Sequence, residues 1–358
     1  MVPPRIWTMP VVQFAERRLV AADQRTERRA QVGLVLQIKL NIRNKKMIVP
    51  FRKSGSELNR ALFMLNFFIE KDRVKCPGDV RKFVFLCGAN NSNGEPSARR
   101  KELIKFAEKD LTNCHFFLAE LIFKELSEDD TSPLDNLLDI ESELSALADY
   151  ILIVLESYSS FTELGAFSYS TELRSKLIVV NNTKYVKEKS FINMGPIKAI
   201  TEVNKNGHFM HYKMNESSEA IDRADGIGAI FPDLYNLLVK PERKQSRTLK
   251  KEELNPATNF NKDSIRFIHD IVFTCGSITL NELIDVLVEI FGNGYSFKKH
   301  AQKHLGVLKA INIINRANGY HYSLQRQYYL KYGFDIESLS STFKTFFLKN
   351  NPERIYNR

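Results

Sequence analysis

Apolar and polar positions follow alternating strand-like and helix-like patterns over residues 81–240. Short apolar runs that suit buried strands lie at 82–88, 113–117, 150–155 and 176–180, and segments with helical spacing of apolar residues separate them. The run YILIVL (150–155) is apolar at every position, as in central strands of a parallel sheet that helices cover on both faces. The alternation predicts an α/β domain in which a Rossmann-like parallel sheet is flanked by helices.

The last hundred residues show a different pattern. Three segments with helical spacing of apolar residues precede INIINRANGYHYSL (311–324), and Asn318-Gly319 in its middle is a strong hairpin signal. Three helices followed by a hairpin predict a smaller α+β winged-helix domain over 263–358. The charged, proline-containing stretch before it, 241–262, is predicted to be a linker.

Composition sets limits on the class of protein. The chain has 358 residues, which favours two domains, and its 43% hydrophobic and 26% charged residues are typical of globular proteins. No apolar run approaches the roughly 20 residues that a membrane span needs, so we expect no membrane contact. The four cysteines lie far apart without a CxxC pair, which argues against structural zinc or disulfides and favours the cytoplasm.

Basic charge is concentrated at the N-terminus. Residues 1–46 hold ten Lys/Arg and three Asp/Glu, so that this segment contributes +7 to the net charge of +10. Its Arg-rich, acid-poor composition faintly resembles an organelle presequence. Met47 is an alternative start, with residues 1–46 as a translated leader. We leave both possibilities open and treat residues 1–80 as a basic N-terminal extension of uncertain structure.

Polar side chains gather where the predicted strands end. Gly88 follows the first strand and permits a ligand to approach the backbone closely, and Glu120 follows the second. The third strand leads directly into the polar stretch ESYSSFTELGAFS (156–168). Because ligands of parallel sheets bind at the carboxyl ends of the strands, we expect a site here.

Glu163 is the candidate nucleophile in that stretch. If Ser160 or Thr162 caps the following helix, Glu163 lies in the first turn, where the helix dipole stabilises an ionised carboxylate. Such a carboxylate could attack an anomeric carbon. Spacing alone favours the alternative, in which Glu163 only completes the N-terminal cap.

Two families share motifs with this chain. TELGAF (162–167), after an apolar strand that ends in an acid, resembles the active-site segment of nucleoside 2-deoxyribosyltransferases. SFTELGAFS, LRSKLIVV and KSFINMGP, in this order, resemble more closely the ribosyltransferase-like effectors of bacterial retrons, which also carry a C-terminal DNA-binding domain. This resemblance covers 81–196 by motif and the C-terminal half by architecture. Ser-Phe-Thr precedes the Glu where deoxyribosyltransferases usually have a Gly-Thr-Ala type of loop, so their substrate is not carried over.

The resemblance implies an enzyme that cleaves the N-glycosidic bond of NAD or a nucleotide, or transfers its ribosyl group, as in retaining glycoside cleavage. Glu163 would be the nucleophile, and Glu120 or Glu156 would hold the ribose or protonate the base. The expected substrate-binding residues are Gly88, Glu141, Ser160, Thr162 and Asn193. Alternatively, Glu141 lies on a solvated helix face and Asn193 ends a strand. We expect no cofactor besides the substrate and no metal.

The predicted winged helix supplies a candidate nucleic-acid surface. Basic side chains of its third helix and hairpin are the expected DNA contacts: Lys298, Lys299, Lys303, Arg316 and His321. The alternative is a winged helix that binds protein. The resemblance further implies a toxin of anti-phage defence that is held by a reverse transcriptase and its multicopy single-stranded DNA, and that forms a homo-oligomer. The competing function is a nucleotide-sensing transcriptional regulator without catalysis.

Overall fold

A computed structural model describes residues 56–78, 81–128, 137–204, 208–215, 222–239, 245–350, 352 and 354. The expectations for residues 1–46 lie outside these residues. The helices and strands of the first part are α1 (Ser56–Glu70), β1 (Val74–Cys76), β2 (Lys82–Cys87), α2 (Ala98–Asp110), β3 (Cys114–Phe117), α3 (Ala119–Glu128), α4 (Leu137–Leu147), β4 (Tyr150–Val154), α5 (Tyr158–Tyr169), α6 (Thr171–Arg174), β5 (Leu177–Asn182), α7 (Lys198–Val203), β6 (Phe209–Tyr212) and α8 (Phe231–Val239). Those of the second part are β7 (Arg247–Thr248), α9 (Lys251–Leu254), α10 (Lys262–Cys275), α11 (Leu280–Phe291), α12 (Phe297–Ala310), β8 (Ile314–Ala317), β9 (Tyr320–Ser323), β10 (Lys331–Tyr332) and α13 (Ile336–Asn350).

A five-stranded parallel sheet forms the centre of the first part. Its strand order is β3-β2-β4-β5-β6, and every neighbouring pair is parallel. The chain passes from β2 to β3 on one side and then crosses over to β4 on the other side of β2, so the direction of winding reverses and the switch point lies between β2 and β4. Such a switch point opens a crevice at the carboxyl ends of the strands. The predicted fold class, a parallel α/β sheet followed by a smaller α+β part, is confirmed.

The two faces of β2 pack against different helices because successive side chains of a strand alternate. Val84 and Leu86 belong to the buried cluster that contains Leu103 of α2 and Leu234 of α8. Phe85 faces the other way, toward α5. The end of β2 is therefore covered by a helix on each face.

Aromatic packing fixes α5 over the end of β2. Phe85 stacks on Phe117 with ring centroids 5.2 Å apart and contacts Phe167 of α5 at 6.3 Å. Glu163 lies one helical turn before Phe167, and Leu164 beside it is fully buried. The sequence TELGAF thus anchors its helix through Leu164 and Phe167 and places Glu163 near the strand end.

The C-terminal part contains three consecutive helices, α10 to α12, followed by the antiparallel hairpin β8–β9. Asn318 and Gly319 at its turn have φ values of 51° and 81°. Two consecutive positive φ values are the requirement of the type I′ turn that Asn-Gly favours. Helices and hairpin follow in the order expected from the sequence pattern.

Residues outside 263–358 complete this C-terminal part. Helix α1 packs against α11 and α13, and β1 pairs antiparallel with both β7 and β10. The segment 56–76 was assigned from sequence to the N-terminal extension. In the structure it packs and pairs with elements that follow the sheet in the chain. The segment 247–254, assigned to the linker, supplies β7 and α9.

The sheet part and the C-terminal part contact each other within one compact unit, Ser54–Arg358. Helix α12 packs along α3, and the Tyr329 hydroxyl is 2.9 Å from Nε2 of His115 on β3. Burial lowers the pKa of His115 to about 3, so this ring is neutral where the two parts meet. Among the helices described, none is long and apolar enough to cross a membrane.

Candidate active site

Helix α5 begins earlier than the sequence pattern predicted. Ser157 is the N-cap: its hydroxyl accepts from the Ser160 amide at 3.3 Å, and the Ser160 hydroxyl accepts from the Ser157 amide at 3.1 Å. This reciprocal pair is a capping box. The expectation that Ser160 or Thr162 caps the helix is therefore wrong, and Glu163 lies in the second turn. The dipole effect is concentrated in the first turn, so burial has more influence on this carboxyl.

The Glu163 carboxyl is buried and incompletely hydrogen-bonded. Its Oε2 atom is inaccessible to solvent and accepts no hydrogen bond from any residue that the structure describes. Burial, followed by the charge of Glu141, raises the pKa of Glu163 to about 7, while Arg100 lowers it in part. The group is thus close to half ionised at neutral pH, a condition that suits a carboxyl involved in catalysis.

Two adjoining cavities meet at Glu163. The cavity at the carboxyl end of β2, of about 460 Å³, is bounded by strand, loop and helix residues that include Cys87, Gly88, Arg100 and Glu120. The other, of about 580 Å³, lies between α4 and α5 and is lined by Ser142, Ser145, Thr162 and Ser170, among others. Glu141, Ser159 and Glu163 line both. The arrangement provides one space at the sheet switch point and a second, hydroxyl-rich space beside it.

Glu120 lies in the first cavity but is held by an arginine. Arg100 Nη1 donates to Glu120 Oε1 at 2.7 Å, and Arg100 Nη2 donates to Oε2 at 3.2 Å. The same guanidinium donates to the Leu86 carbonyl at 2.9 Å and to Asn90 Oδ1 at 2.7 Å. Arg100 therefore joins the end of β2 to the start of α3 and fixes the Glu120 carboxylate.

Glu156 lies at the end of β4 but outside both cavities. Its Oε1 accepts from the Ala89 amide at 3.0 Å and from the Ser97 hydroxyl at 2.6 Å, and its Oε2 pairs with Arg99 at 2.9 Å. The side chain is 0% exposed, and Arg99 is also paired with Asp225 at 2.7 Å. Glu156 therefore ties the loop after β2 to α2, and the geometry gives it no access to a substrate.

Gly88 lines the cavity, and neighbouring side chains of the protein leave no room for a side chain at this position. A Cβ at this position would lie 2.8 Å from Arg100 Cδ and 2.9 Å from Glu156 Oε1. Both distances are shorter than real Cβ contacts allow, so Gly88 makes room for the two ion pairs that flank it. Close approach of a ligand, the reason inferred from sequence, is a second role that the cavity permits.

Glu141 faces the cavities from α4. It is half-buried, and burial followed by the charge of Glu120 raises its pKa. No hydrogen bond or ion pair joins its carboxyl group to another residue in the described part of the chain. The four glutamates thus fall into two classes: Glu120 and Glu156 are paired with arginines, whereas Glu141 and Glu163 are not.

The remaining candidates of the substrate site have local structural roles. The Ser160 hydroxyl is buried in the cap of α5, and Thr162 is exposed and donates to the Tyr158 carbonyl at 3.0 Å. Asn193 begins a π-helical turn and does not end a strand, and its amide donates to the Tyr185 and Glu188 carbonyls at 2.6 and 2.8 Å. Thr162 is the only one of these three that lines a cavity at Glu163.

The five candidate DNA contacts occupy unlike environments. Lys298, Lys299 and Arg316 are exposed, whereas Lys303 is paired with Glu143 of α4 and lies 4.4 Å from the centre of the Phe260 ring. His321 is buried, and its backbone pairs with that of Ile278. A DNA contact by His321 is therefore incompatible with this structure, because β9 carries its ring inward.

Sequence reasoning missed Arg99 and Arg100, the two residues that form ion pairs with Glu156 and Glu120. Both are 2% exposed although they are consecutive and charged. The available signal was their position at the start of α2, directly after the turn that follows β2. Fully buried arginines require acidic partners, and Glu120 and Glu156 were already candidates at neighbouring strand ends. Within the described ranges, no group of three His, Cys, Asp or Glu side chains is placed to hold a metal ion.

Comparison with known proteins agrees with the motifs. Residues 96–316 match the family described as STM3845 retron effector protein. The chain is 64% identical over 310 residues to the Escherichia coli protein named "Retron Ec73 putative ribosyltransferase/DNA-binding protein", covering 86% of this chain and 98% of that one. A retron Ec86 protein of Escherichia coli with the same description is 31% identical over 175 residues, covering 48% and 55%. The chain belongs to the retron effector family.

Proposed function

We propose that this protein is the toxic effector of a retron anti-phage system and that it cleaves the N-glycosidic bond of NAD or a nucleotide through Glu163. The observation that carries the proposal is the Glu163 carboxyl: it lies at the switch point of a parallel sheet and borders two cavities, and its buried Oε2 accepts no hydrogen bond from the residues that the structure describes. The names of the two relatives, which include putative ribosyltransferase, support the same class of reaction.

The chemistry follows retaining glycoside cleavage. An oxygen of ionised Glu163 bonds to the anomeric carbon while the bond to the base breaks, and the base takes the electron pair of that bond. Nicotinamide in NAD is already cationic and leaves without a proton. Water then hydrolyses the ribosyl ester of Glu163, or another acceptor takes the ribosyl group. Arg100 and Glu120 border the same cavity, where they can orient the sugar.

The test measures, by chromatography, the release of free base from NAD and from a panel of nucleoside and deoxynucleoside phosphates. We expect release by the wild-type protein and a loss of at least about 100-fold in Glu163→Gln, since the amide cannot act as nucleophile. Glu172→Gln is the matched control because Glu172, on the next helix, has a side chain that is 78% exposed. It should retain wild-type activity.

The same assay includes an outcome that would contradict the proposal. We propose that a retron reverse transcriptase and its multicopy single-stranded DNA are the partners, so the panel is repeated with both present. No base release under either condition, together with tight nucleotide binding, would contradict catalysis. That result would support the competing function, a nucleotide-sensing regulator.

Self-association is a further part of the proposal. Three aromatic side chains on and beside α5 are almost fully exposed in the single chain: Tyr158 (95%), Tyr169 (89%) and Phe191 (80%). Exposed aromatic residues are common at contacts between subunits. Sedimentation velocity of the wild-type protein and of Tyr169→Ser tests this, and a monomer at every concentration would contradict it.

A further inference from the structure

Glu141 and Glu163 lie on different helices and face the same space. Glu141 comes from α4 and Glu163 from α5, and both border each of the two cavities. The charge of Glu141 is the second-largest cause of the raised pKa of Glu163, after burial. The two carboxyl groups are therefore close neighbours whose charges interact. Neither of them forms an ion pair with a described residue.

The other two glutamates are poorly placed to move a proton. Both oxygens of Glu120 accept hydrogen bonds from the Arg100 guanidinium. Glu156 accepts from Ser97, from the Ala89 amide and from Arg99, and its side chain is 0% exposed. Both carboxylates are therefore held in fixed positions by donors of the protein itself, which leaves them less available to a leaving base or a water molecule.

Glu141 has the opposite surroundings. No described residue donates a hydrogen bond to it, and it is only half-buried. Its position at the junction of the cavities places it between the strand-end space, which Arg100 and Glu120 also border, and the hydroxyl-lined space between α4 and α5. A carboxyl group that exchanges protons needs this combination of access and absence of a fixed partner.

We propose that Glu141 is the general acid and base of the reaction, and that the Arg100–Glu120 pair only positions the sugar. This rests on the proposed function of Glu163. For a neutral base, the protonated Glu141 gives its proton to a ring nitrogen as the C–N bond breaks and Glu163 bonds to the anomeric carbon. In the second half, ionised Glu141 takes a proton from water. The water oxygen bonds to that carbon, the ester bond breaks, and its electron pair returns to Glu163.

NAD is the informative probe because nicotinamide departs without a proton. In Glu141→Gln the first half should proceed and the second should slow, so nicotinamide appears as a burst of about one equivalent per site. Steady turnover should then be about 100-fold or more below wild type, and intact mass should show an ADP-ribosyl adduct on the protein. If a purine nucleotide is the substrate, its N7-methylated form serves the same purpose, since that base is cationic.

Azide provides a readout that a structural role would not change. It attacks the ADP-ribosyl ester formed from NAD without needing a base, so azide should restore turnover in Glu141→Ala and yield an ADP-ribosyl azide. It should not do so in Glu163→Gln. Far-UV circular dichroism and thermal unfolding confirm that each variant is folded, and Glu141→Gln is the isosteric second variant.

The outcomes separate the two proposals. Wild-type steady turnover in Glu141→Gln, or a folded Glu141→Ala that azide does not rescue, would overturn the role of Glu141 while Glu163 stands. Loss of release in Glu163→Gln with a burst in Glu141→Gln is the expected pattern. Failure of the wild-type protein to release any base, with or without its retron partners, would overturn both.

Discussion

The Arg100 guanidinium and the Glu120 carboxylate form a two-point ion pair, at 2.7 and 3.2 Å, beside Glu163, whose Oε2 accepts no hydrogen bond from the described residues. The arginine is buried, whereas the Glu120 side chain is 24% exposed. Arg100 also donates to backbone and side-chain oxygens at the end of β2, so all its Nη groups have acceptors. One buried cation therefore orders the strand end, the start of α3 and one wall of the cavity.

This pairing predicts opposite effects on stability for two glutamates of the same cavity. Glu120→Gln leaves the buried guanidinium of Arg100 without its counter-charge, and should lower the free energy of unfolding by about 1–3 kcal/mol. Glu141→Gln removes a carboxyl without partners among the described residues, whose charge is disfavoured by burial and by the charges of Glu120 and Glu163, and should raise it slightly. Urea denaturation at pH 7 measures both, and equal losses would contradict the division of the glutamates.

Glu163 should make the folded state less stable as the pH rises. Its pKa is raised from 4.5 to about 7 in the folded protein, so the folded state binds more protons than the unfolded chain between these values. Below pH about 4.5 the group is protonated in both states and the stability is at its full value. The free energy of unfolding then falls as the pH rises to about 7.

Glu163→Gln removes that titration. The variant should be more stable than wild type at pH 7.5, by on the order of 2 kcal/mol, and the difference should shrink toward pH 4.5. Base release by the wild type should increase with pH through about 7, because the nucleophile must be ionised. Thermal unfolding across this pH range is the measurement. A difference that is independent of pH would contradict the raised pKa.

Gly88→Ala should be destabilising for a steric reason. The added Cβ would lie 2.8 Å from Arg100 and 2.9 Å from Glu156, so two ion pairs must shift, at a cost of about 1–3 kcal/mol. Gly165→Ala is the matched control, since nothing lies within 4 Å of its Cβ and α5 is helical there. It should stabilise by about 0.5–1 kcal/mol, the usual gain of Ala over Gly in a helix. Similar effects at both positions in urea denaturation would contradict this account.

The basic residues of α12 should separate into two groups in nucleic-acid binding. Lys298 and Lys299 are exposed, whereas Lys303 is engaged with Glu143 and Phe260. If the exposed lysines contact phosphates, Lys298→Gln and Lys299→Gln should each reduce the slope of log affinity against log salt for single-stranded DNA by about 0.7. Lys303→Gln should leave the slope unchanged and lower the melting temperature. Titrations of a fluorescent oligonucleotide at several salt concentrations distinguish these outcomes, and a reduced slope in Lys303→Gln would contradict the assignment.

The local pattern of the sequence determined the strands, the helices that alternate with them, the C-terminal hairpin and the position of Glu163 near a strand end. Periodicity reports which face of a segment is buried, and that information lies within about ten neighbouring residues. The start of α5 was misplaced because three serines in SYSS compete for the cap, and only the backbone geometry shows that Ser157 holds it.

Tertiary structure alone decided which glutamates are paired with arginines. Arg99 reaches Asp225, 126 positions away, and Arg100 reaches Glu120, 20 positions away, so no local pattern contains these pairs. The pairing of Val74 with Tyr332, which joins the segment before the sheet to the C-terminal part, is of the same kind. A sequence specifies that a charged or apolar group needs a partner. The folded chain selects that partner, because it depends on which surfaces the sheet and its helices bring together.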